Sequence, residues 1–152
     1  MQFGTDTYRA GALERLGEAR TLLSVGSWVG SIYLAGVAVE GMLRSLVCMR
    51  DRAFDERHDL RRLAVRVGHL GLLRADGRDE DFVGAVEAVN KLWQNSLRYA
   101  DQRQAFRWLR EKRSIGSYHP GNPAGICKGF FAQSSEVVRR CEVLWHRHQR
   151  RS

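Results

Sequence analysis

Residues 28–49, WVGSIYLAGVAVEGMLRSLVCM, form a nearly continuous apolar segment that contains one glutamate and one arginine. Plotted at the helical period, its apolar side chains fall on every side, and a helix that is apolar all round is buried all round. Glu40 and Arg44 would be costly in a bilayer, which disfavours a membrane span. We therefore interpret the segment as the central helix of a soluble bundle. Its small residues would let neighbouring helices approach closely at Gly30, Gly36 and Gly41.

The length of the chain predicts a single domain over residues 1–152, since a chain of this size buries roughly two-thirds of its unfolded surface. Its three cysteines, Cys48, Cys127 and Cys141, are odd in number and far apart. This pattern favours buried thiols in a reducing cytoplasm. The N-terminal residues have no basic segment followed by an apolar run, so we expect no secretion signal and a cytoplasmic location.

The net charge of +8 is concentrated in the last third of the chain. From Arg103 to the C-terminus there are eleven lysine and arginine residues against three glutamates, whereas the first 102 residues carry fourteen of each sign. Attraction to a polyanion is therefore expected to centre on the last third. The alternative is an arginine-rich surface that only keeps the protein in solution.

Apolar residues at helical spacing predict further helices, and no segment alternates as a strand would. Thr5 or Asp6 is expected to cap the first helix, and Asp59 a short one. Prolines and glycines within residues 114–125 exclude a continuous helix there. The predicted helices besides the central one cover Thr5 to about Leu23, residues 60–67, about Glu80 to Tyr99, residues 101–112, and about Ile126 to His148, with a basic tail at about 146–152. The fold class is all-α, an up-and-down helical bundle of four core helices plus short helices.

Three segments carry a likeness to a known family. Residues 31–47, SIYLAGVAVEGMLRSLV, form an alanine-rich helix with an internal glutamate, and residues 58–63, HDLRRL, form a histidine-led turn into a short helix. Residues 93–100, WQNSLRYA, carry an arginine and a tyrosine at a helix end. In this order and spacing they resemble the HEPN superfamily of small helical bundles. The resemblance covers about residues 4–100, and the last helix fits by length and position.

The resemblance implies an RNA-directed function. Many HEPN proteins are ribonucleases that need no metal or other cofactor. In these a histidine serves the proton transfers at the ribose 2'-OH and the leaving oxygen, while an arginine a few residues earlier holds the phosphate. Two such motifs commonly face each other across a homodimer, so the resemblance implies a homodimer here. Three pairs in this chain have the spacing, each with five residues between: Arg52 and His58, Arg113 and His119, Arg140 and His146.

Arg113 and His119 are our candidate catalytic pair, because they lie just before the last helix, where the family places its motif. Pro120 and the glycines around it prevent the two residues from sharing a regular helix. The alternative is therefore a loop arginine and a solvated histidine without function. Three residues near the pair are candidate RNA contacts: Arg110, Lys112 and Tyr118.

The other two pairs are interpreted as structural. Arg140 and His146 lie off a common helical face, His58 is a helix-start residue that caps or packs, and Arg52 lies on the surface. No set of histidines or cysteines has the spacing of metal ligands, so we expect no metal site.

Two further groups are candidate sites. Asn95, Arg98 and Tyr99 resemble the arginine-tyrosine feature of HEPN branches that lack the ribonuclease motif, and they are candidate contacts to a nucleic acid or nucleotide. Solvent exposure without function is the alternative. Glu40 and Arg44 are predicted to form a buried ion pair, because an ionised carboxylate in the central helix would be costly alone. The other interpretation is a polar pocket at the centre of the bundle.

The leading hypothesis is a HEPN-like, RNA-directed protein of the toxin or defence kind, which binds RNA through its basic last third and cleaves it with Arg113 and His119. The first alternative is a non-catalytic HEPN-like module that binds a nucleotide or a protein partner, such as a nucleotidyltransferase antitoxin or a defence complex. In that case Arg98 and Tyr99 would matter more than His119. The second alternative is a plain helical interaction protein whose arginines only solubilise it.

Overall fold

The computed structural model describes residues 3–54, 58–114 and 122–150. These residues form six α-helices and one 3-10 helix, with no strand among them, which confirms the all-α prediction. The α-helices are α1 (Thr5–Ser24), α2 (Trp28–Cys48), α3 (Leu60–His69), α4 (Phe82–Leu92), α5 (Gln102–Ser114) and α6 (Pro123–Gln149). The 3-10 helix, Asn95–Tyr99, lies between α4 and α5.

Helix α2 lies at the centre, as predicted, and packs against α1, α3 and α6. It is long and apolar enough to cross a membrane by length and composition, and 72% of its most apolar window is buried inside the bundle. Packing against the other helices therefore accounts for its composition. At Gly36 an added Cβ would overlap the side chain of Trp93, and at Gly41 it would lie 3.0 Å from Ala12 of α1.

Helices α1 and α2 run in opposite directions along each other. The hydroxyl of Thr5 donates to the Ser45 carbonyl over 2.7 Å at one end, and Ser31 Oγ donates to the Ala19 carbonyl over 2.8 Å nearer the other end. Helix α6 also lies antiparallel to α1. Trp145, near the end of α6, donates from Nε1 to Oγ1 of Thr5, at the start of α1, over 3.2 Å. The start of α1 is thus held between the ends of two long helices.

The first residues of three helices can be compared with the helix caps and helix starts that the sequence predicts. The prediction that Thr5 or Asp6 caps α1 is wrong, since Gly4 precedes the helix without a side-chain cap. Asp59 caps α3 as predicted, accepting from the Arg62 N–H over 3.0 Å. Helix α6 begins three residues earlier than predicted, because Asn122 caps it and Pro123 occupies its first position, where a proline loses no helical hydrogen bond.

The helix predicted from about Glu80 to Tyr99 is wrong in its second half. Helix α4 ends at Leu92, and the backbone of Trp93 and Gln94 is extended. The cause is a long-range contact: the Trp93 ring packs on Gly36 of α2, and its Nε1 donates to the Tyr33 carbonyl over 3.2 Å. The chain then continues as the 3-10 helix, which is separated from α4 by these two extended residues.

Helix α6 ends at Gln149, close to the predicted end at about His148, so residues 146–149 of the basic tail form its last turn. Arg147 Nη1 donates to Asp79 Oδ2 over 2.9 Å, and the buried His148 donates from Nε2 to the Leu72 carbonyl over 2.9 Å. Two of the basic side chains therefore attach the end of α6 to the segment between α3 and α4.

Candidate functional site

A groove with a volume of about 800 Å³ opens between α1, α2, His58 and the 3-10 helix, and we call it the α1–α2 groove. This volume lies within the range of about 300–1,000 Å³ that small-molecule sites occupy. Its polar lining consists of Thr7, Tyr8, Arg15, Tyr33, Glu40, Arg44, His58, Asn95 and Arg98. The groove therefore brings together residues that the sequence put forward separately as a buried pair and as nucleotide contacts.

The floor of the groove is the carboxylate of Glu40, which is 7% exposed. Arg44 Nε donates to Glu40 Oε1 over 2.8 Å, which is the contact that the sequence indicated. His58 is a third member that we did not predict: its Nδ1 lies 3.0 Å from each of the two carboxylate oxygens. A carboxylate accepts hydrogen bonds, so His58 donates from Nδ1 and its Nε2 becomes the proton-accepting nitrogen of the neutral ring.

His58 has an unusual backbone conformation. Its backbone φ is 34°, in the left-handed region that side chains other than glycine rarely adopt, and its side chain is 52% exposed. Within the ranges that the structure describes, no group hydrogen-bonds to its Nε2. Strained backbone of this kind is concentrated at functional sites. The ring is thus held by a buried carboxylate in the lining of the groove, and a histidine held in this way can act as a general acid or base.

The groove carries more positive than negative charge. Arg44 is engaged by Glu40, and Arg15 pairs with Glu18 over 2.9 Å. Arg98 is exposed and has no carboxylate partner among the residues that the structure describes. Its guanidinium lies 4.7 Å from the centroid of the Tyr99 ring. Arg98 therefore supplies a cation to the groove that no carboxylate of the described chain neutralises.

The 3-10 helix explains why two of the predicted contacts share the groove. Side chains three residues apart eclipse each other in a 3-10 helix, and Asn95 and Arg98 have this separation. Both line the groove, whereas Tyr99 lies outside its lining and is 78% exposed. The sequence had placed all three on a regular α-helix.

The predicted catalytic pair cannot be assembled from the described residues. The backbone of Arg113 belongs to the last turn of α5, but its side chain lies outside the described residues, as do all of Tyr118 and His119. Arg110 and Lys112 are exposed on α5. Arg110 also lines a shallow depression of about 420 Å³ on that helix together with Arg103, Arg107 and Glu111.

The pair Arg140 and His146 is occupied along α6. Arg140 Nε donates to Glu136 over 3.0 Å, and His146 Nε2 lies 3.3 Å from Glu142. Hydrogen bonds from Arg139 and Arg140 lower the pKa of Glu136 to about 2. These contacts agree with the structural interpretation of the pair.

The cysteines do not form a nucleophilic site. Cys48, Cys127 and Cys141 are all buried, and none of the three forms a disulfide. Burial raises the pKa of Cys141 far above its usual range and also raises that of Cys48. Among the described residues, no group of three or more His, Cys, Asp or Glu side chains could hold a metal ion.

Comparison of the chain with protein-family models, with curated proteins and with solved structures found no match.

The contact between His58 and Glu40 was beyond our sequence reasoning, although one signal pointed to part of it. Arg52 and His58 have the family spacing, which draws attention to His58, but Arg52 lies on the surface and is not part of the groove lining. The residue that contacts it, Glu40, lies eighteen residues earlier, on α2. Only the packing of α3 on α2 brings the two together.

Proposed function

We propose that this protein is an RNA-directed, HEPN-like protein of the toxin or defence kind that binds RNA phosphates in the α1–α2 groove. The observation that carries the proposal is Arg98, an exposed guanidinium without a carboxylate partner in the described chain, on the same groove as Asn95 and His58. Guanidinium groups bind phosphate through paired, charge-assisted hydrogen bonds. The assignment to HEPN proteins rests on the sequence resemblance.

The distribution of charge supports a polymeric anion as ligand. Helix α5 directly follows the 3-10 helix. It carries three exposed arginines, Arg103, Arg107 and Arg110. A chain of phosphates can engage several arginines at once, and each contact releases counterions from the polymer. Affinity is therefore expected to depend steeply on salt.

The test is binding of a labelled single-stranded RNA to the protein over a range of salt concentrations. Arg98→Ala should weaken binding about tenfold and lower the salt slope by about one phosphate contact. The matched control is Arg78→Ala, which removes an exposed arginine outside the groove lining. Equal affinities for the wild type and Arg98→Ala would exclude the groove as the phosphate site. Absence of RNA binding near physiological salt would favour a plain interaction protein.

RNA cleavage is the second part of the proposal, and two histidines compete for it. The resemblance favours His119 with Arg113, whereas the geometry of the groove favours His58 with Glu40 behind it. In either case the histidine takes the proton of a ribose 2'-OH as O2' attacks phosphorus. The bond from phosphorus to the leaving 5'-oxygen then breaks, and that oxygen receives a proton. The products are a 2',3'-cyclic phosphate and a 5'-hydroxyl.

Incubation with labelled RNA in EDTA separates the two histidines. Cleavage that is lost in the double variant Arg113→Ala, His119→Ala but kept in His58→Ala would establish Arg113 and His119 as the catalytic pair. The reverse pattern would establish the groove as the catalytic centre. Intact RNA in all samples, from protein that is folded by circular dichroism, would refute cleavage.

The non-catalytic alternative also has an observation in its favour. The volume of the groove is that of a small-molecule site, so a single nucleotide could occupy it without a longer RNA. Titration with a nucleoside monophosphate would then saturate at one site and would compete with RNA. A nucleotidyltransferase-like partner and a homodimer remain expectations from the resemblance, and light scattering of the purified protein tests the latter.

A further inference from the structure

A second, smaller cavity of about 330 Å³ lies against the 3-10 helix and the start of α5, and we call it the Tyr99–Trp108 pocket. Tyr99, Leu97 and Trp108 contribute apolar surface, and Gln94 and Gln104 contribute side-chain amides. We propose that this pocket receives an unpaired nucleobase of a single-stranded RNA whose neighbouring phosphate lies on Arg98. The inference rests on the proposed function, because it assumes that the protein binds RNA.

Arg98 and Tyr99 connect the pocket to the groove. Arg98 lines the α1–α2 groove, whereas the next residue, Tyr99, lines the pocket. The guanidinium of Arg98 lies 4.7 Å from the centroid of the Tyr99 ring. A cation and an aromatic ring that contact each other match the two chemical parts of one nucleotide, a phosphate and a base.

The exposure of Tyr99 requires an explanation, since it is the most exposed large apolar side chain of the described residues. The guanidinium of Arg98 covers one face of the ring, and the exposure shows that the rest of the ring is open to solvent. Trp108 is half-buried beside it. Bases stack on such rings without regard to sequence, because every base has an aromatic face.

The chemistry of the rim favours a base over a protein side chain. Gln94 and Gln104 are exposed, and each amide offers both donors and an acceptor, which match the edges of bases. Among the described residues, the lining of the pocket contains no charged side chain. Arg98 lies on the Tyr99 ring, where it can hold a phosphate, and Asp101 is engaged by the Gln104 N–H over 2.8 Å. A base within a duplex is stacked and paired, so only a single strand can place one in this pocket.

The experiment compares three ligands of equal length: a single-stranded RNA, the same strand fully paired, and a strand with abasic positions. We expect the single strand to bind about tenfold more tightly than the abasic strand, since stacking of one base contributes about that factor. Tyr99→Ala should remove this difference, whereas Tyr99→Phe should retain it. Val143→Ala, at another exposed apolar residue, is the control and should change nothing.

The outcomes separate this inference from the proposed function. In one outcome, the wild type binds the abasic strand as tightly as the intact single strand, Tyr99→Ala binds the intact strand as tightly as the wild type does, and Arg98→Ala still weakens binding. The pocket is then not a base site, but the groove still binds RNA. Equal affinity for the paired strand would overturn the inference in the same way. If no strand binds at all, both the inference and the proposed function are wrong. Circular dichroism of each variant establishes that the fold is unchanged.

Discussion

Two charged clusters of this protein use similar side chains, but only one of them opens to solvent. Glu40, Arg44 and His58 form the first, on the floor of the α1–α2 groove. Asp79 and Arg147 form the second, where the end of α6 meets the segment before α4. In both clusters a carboxylate that is largely shielded from water accepts a hydrogen bond from a basic side chain of another segment, which is His58 in the first cluster and Arg147 in the second.

The difference lies in what surrounds each pair. Asp79 and Arg147 have side chains that are each 16% exposed, and Asp79 also accepts from the Arg74 N–H over 2.7 Å, so the cluster closes on itself. In the groove, the same kind of carboxylate holds a histidine whose ring is half exposed. An ion pair that is shielded on all sides can only stabilise the fold. An imidazole that is exposed to solvent and held by a shielded carboxylate can also contact a ligand.

The largest expected effect concerns the contact that supports the groove. Gly36→Ala would place a methyl group inside the ring of Trp93, and we expect it to lower the free energy of unfolding by about 3 kcal/mol. Because Trp93 precedes the 3-10 helix, RNA affinity should fall as well. Urea denaturation and the RNA binding assay measure the two effects.

Gly17→Ala is the control for this variant. Gly17 also lies within a helix, but nothing lies within 4 Å of an added Cβ, so alanine should stabilise the protein by up to about 1 kcal/mol. Equal behaviour of the two variants would mean that the Trp93 contact does not position the 3-10 helix.

The second effect tests whether the closed cluster acts on stability alone. Arg147→Ala leaves the shielded carboxylate of Asp79 without its ionic partner, and we expect a loss of about 2 kcal/mol in the free energy of unfolding. RNA affinity should stay within about twofold of the wild type. Arg139→Ala, which breaks an exposed pair on the same helix, should cost at most about 0.5 kcal/mol. A large loss of RNA affinity in Arg147→Ala would remove the distinction between the clusters.

The third effect is the response of the closed cluster to acid. Burial raises the pKa of Asp79, but hydrogen bonds from Arg147 and from the Arg74 N–H outweigh it, so the pKa is lowered overall. A lowered pKa in the folded state gives stability that is present above the unfolded value, about 3.9, and is lost as the pH falls through the folded value. Urea denaturation between pH 7 and pH 3 should show this loss in the wild type and a flatter profile in Asp79→Asn. An unchanged profile would show that the pair does not contribute.

The sequence predicted the structural features that depend on residues close together in the chain. The apolar run of α2 is buried as expected, and the cap of α3 by Asp59 follows from one side chain and a neighbouring N–H. The close approach of α1 at Gly41 also follows, since a missing side chain is visible in the sequence, whereas Gly36 accommodates the side chain of Trp93 and not a neighbouring helix.

The errors share one physical cause, which is contact between residues far apart in the chain. The helical pattern of residues 80–99 continues past Leu92, but the energy gained when Trp93 packs on α2 outweighs the loss of regular helix. The sequence placed the basic end of α6 on a helix but could not give the partners of Arg147 and His148, since Asp79 and the Leu72 carbonyl lie far away in the chain. The contact of His58 with Glu40 likewise depends on how α3 packs on α2.

The smallest expected effect decides whether His58 is kept for stability or for the groove. Its φ of 34° is strained for histidine and natural for glycine. In His58→Gly, the relief of strain should offset the lost hydrogen bond to Glu40, so the free energy of unfolding should stay within about 0.5 kcal/mol of the wild type. His58→Ala keeps the strain and should lose about 1 kcal/mol. Both variants should weaken RNA binding or cleavage to the same extent, since both lack the imidazole. If His58→Gly were instead as unstable as His58→Ala and bound RNA normally, the histidine would only attach α3 to α2, and the groove cluster would be structural like the closed one.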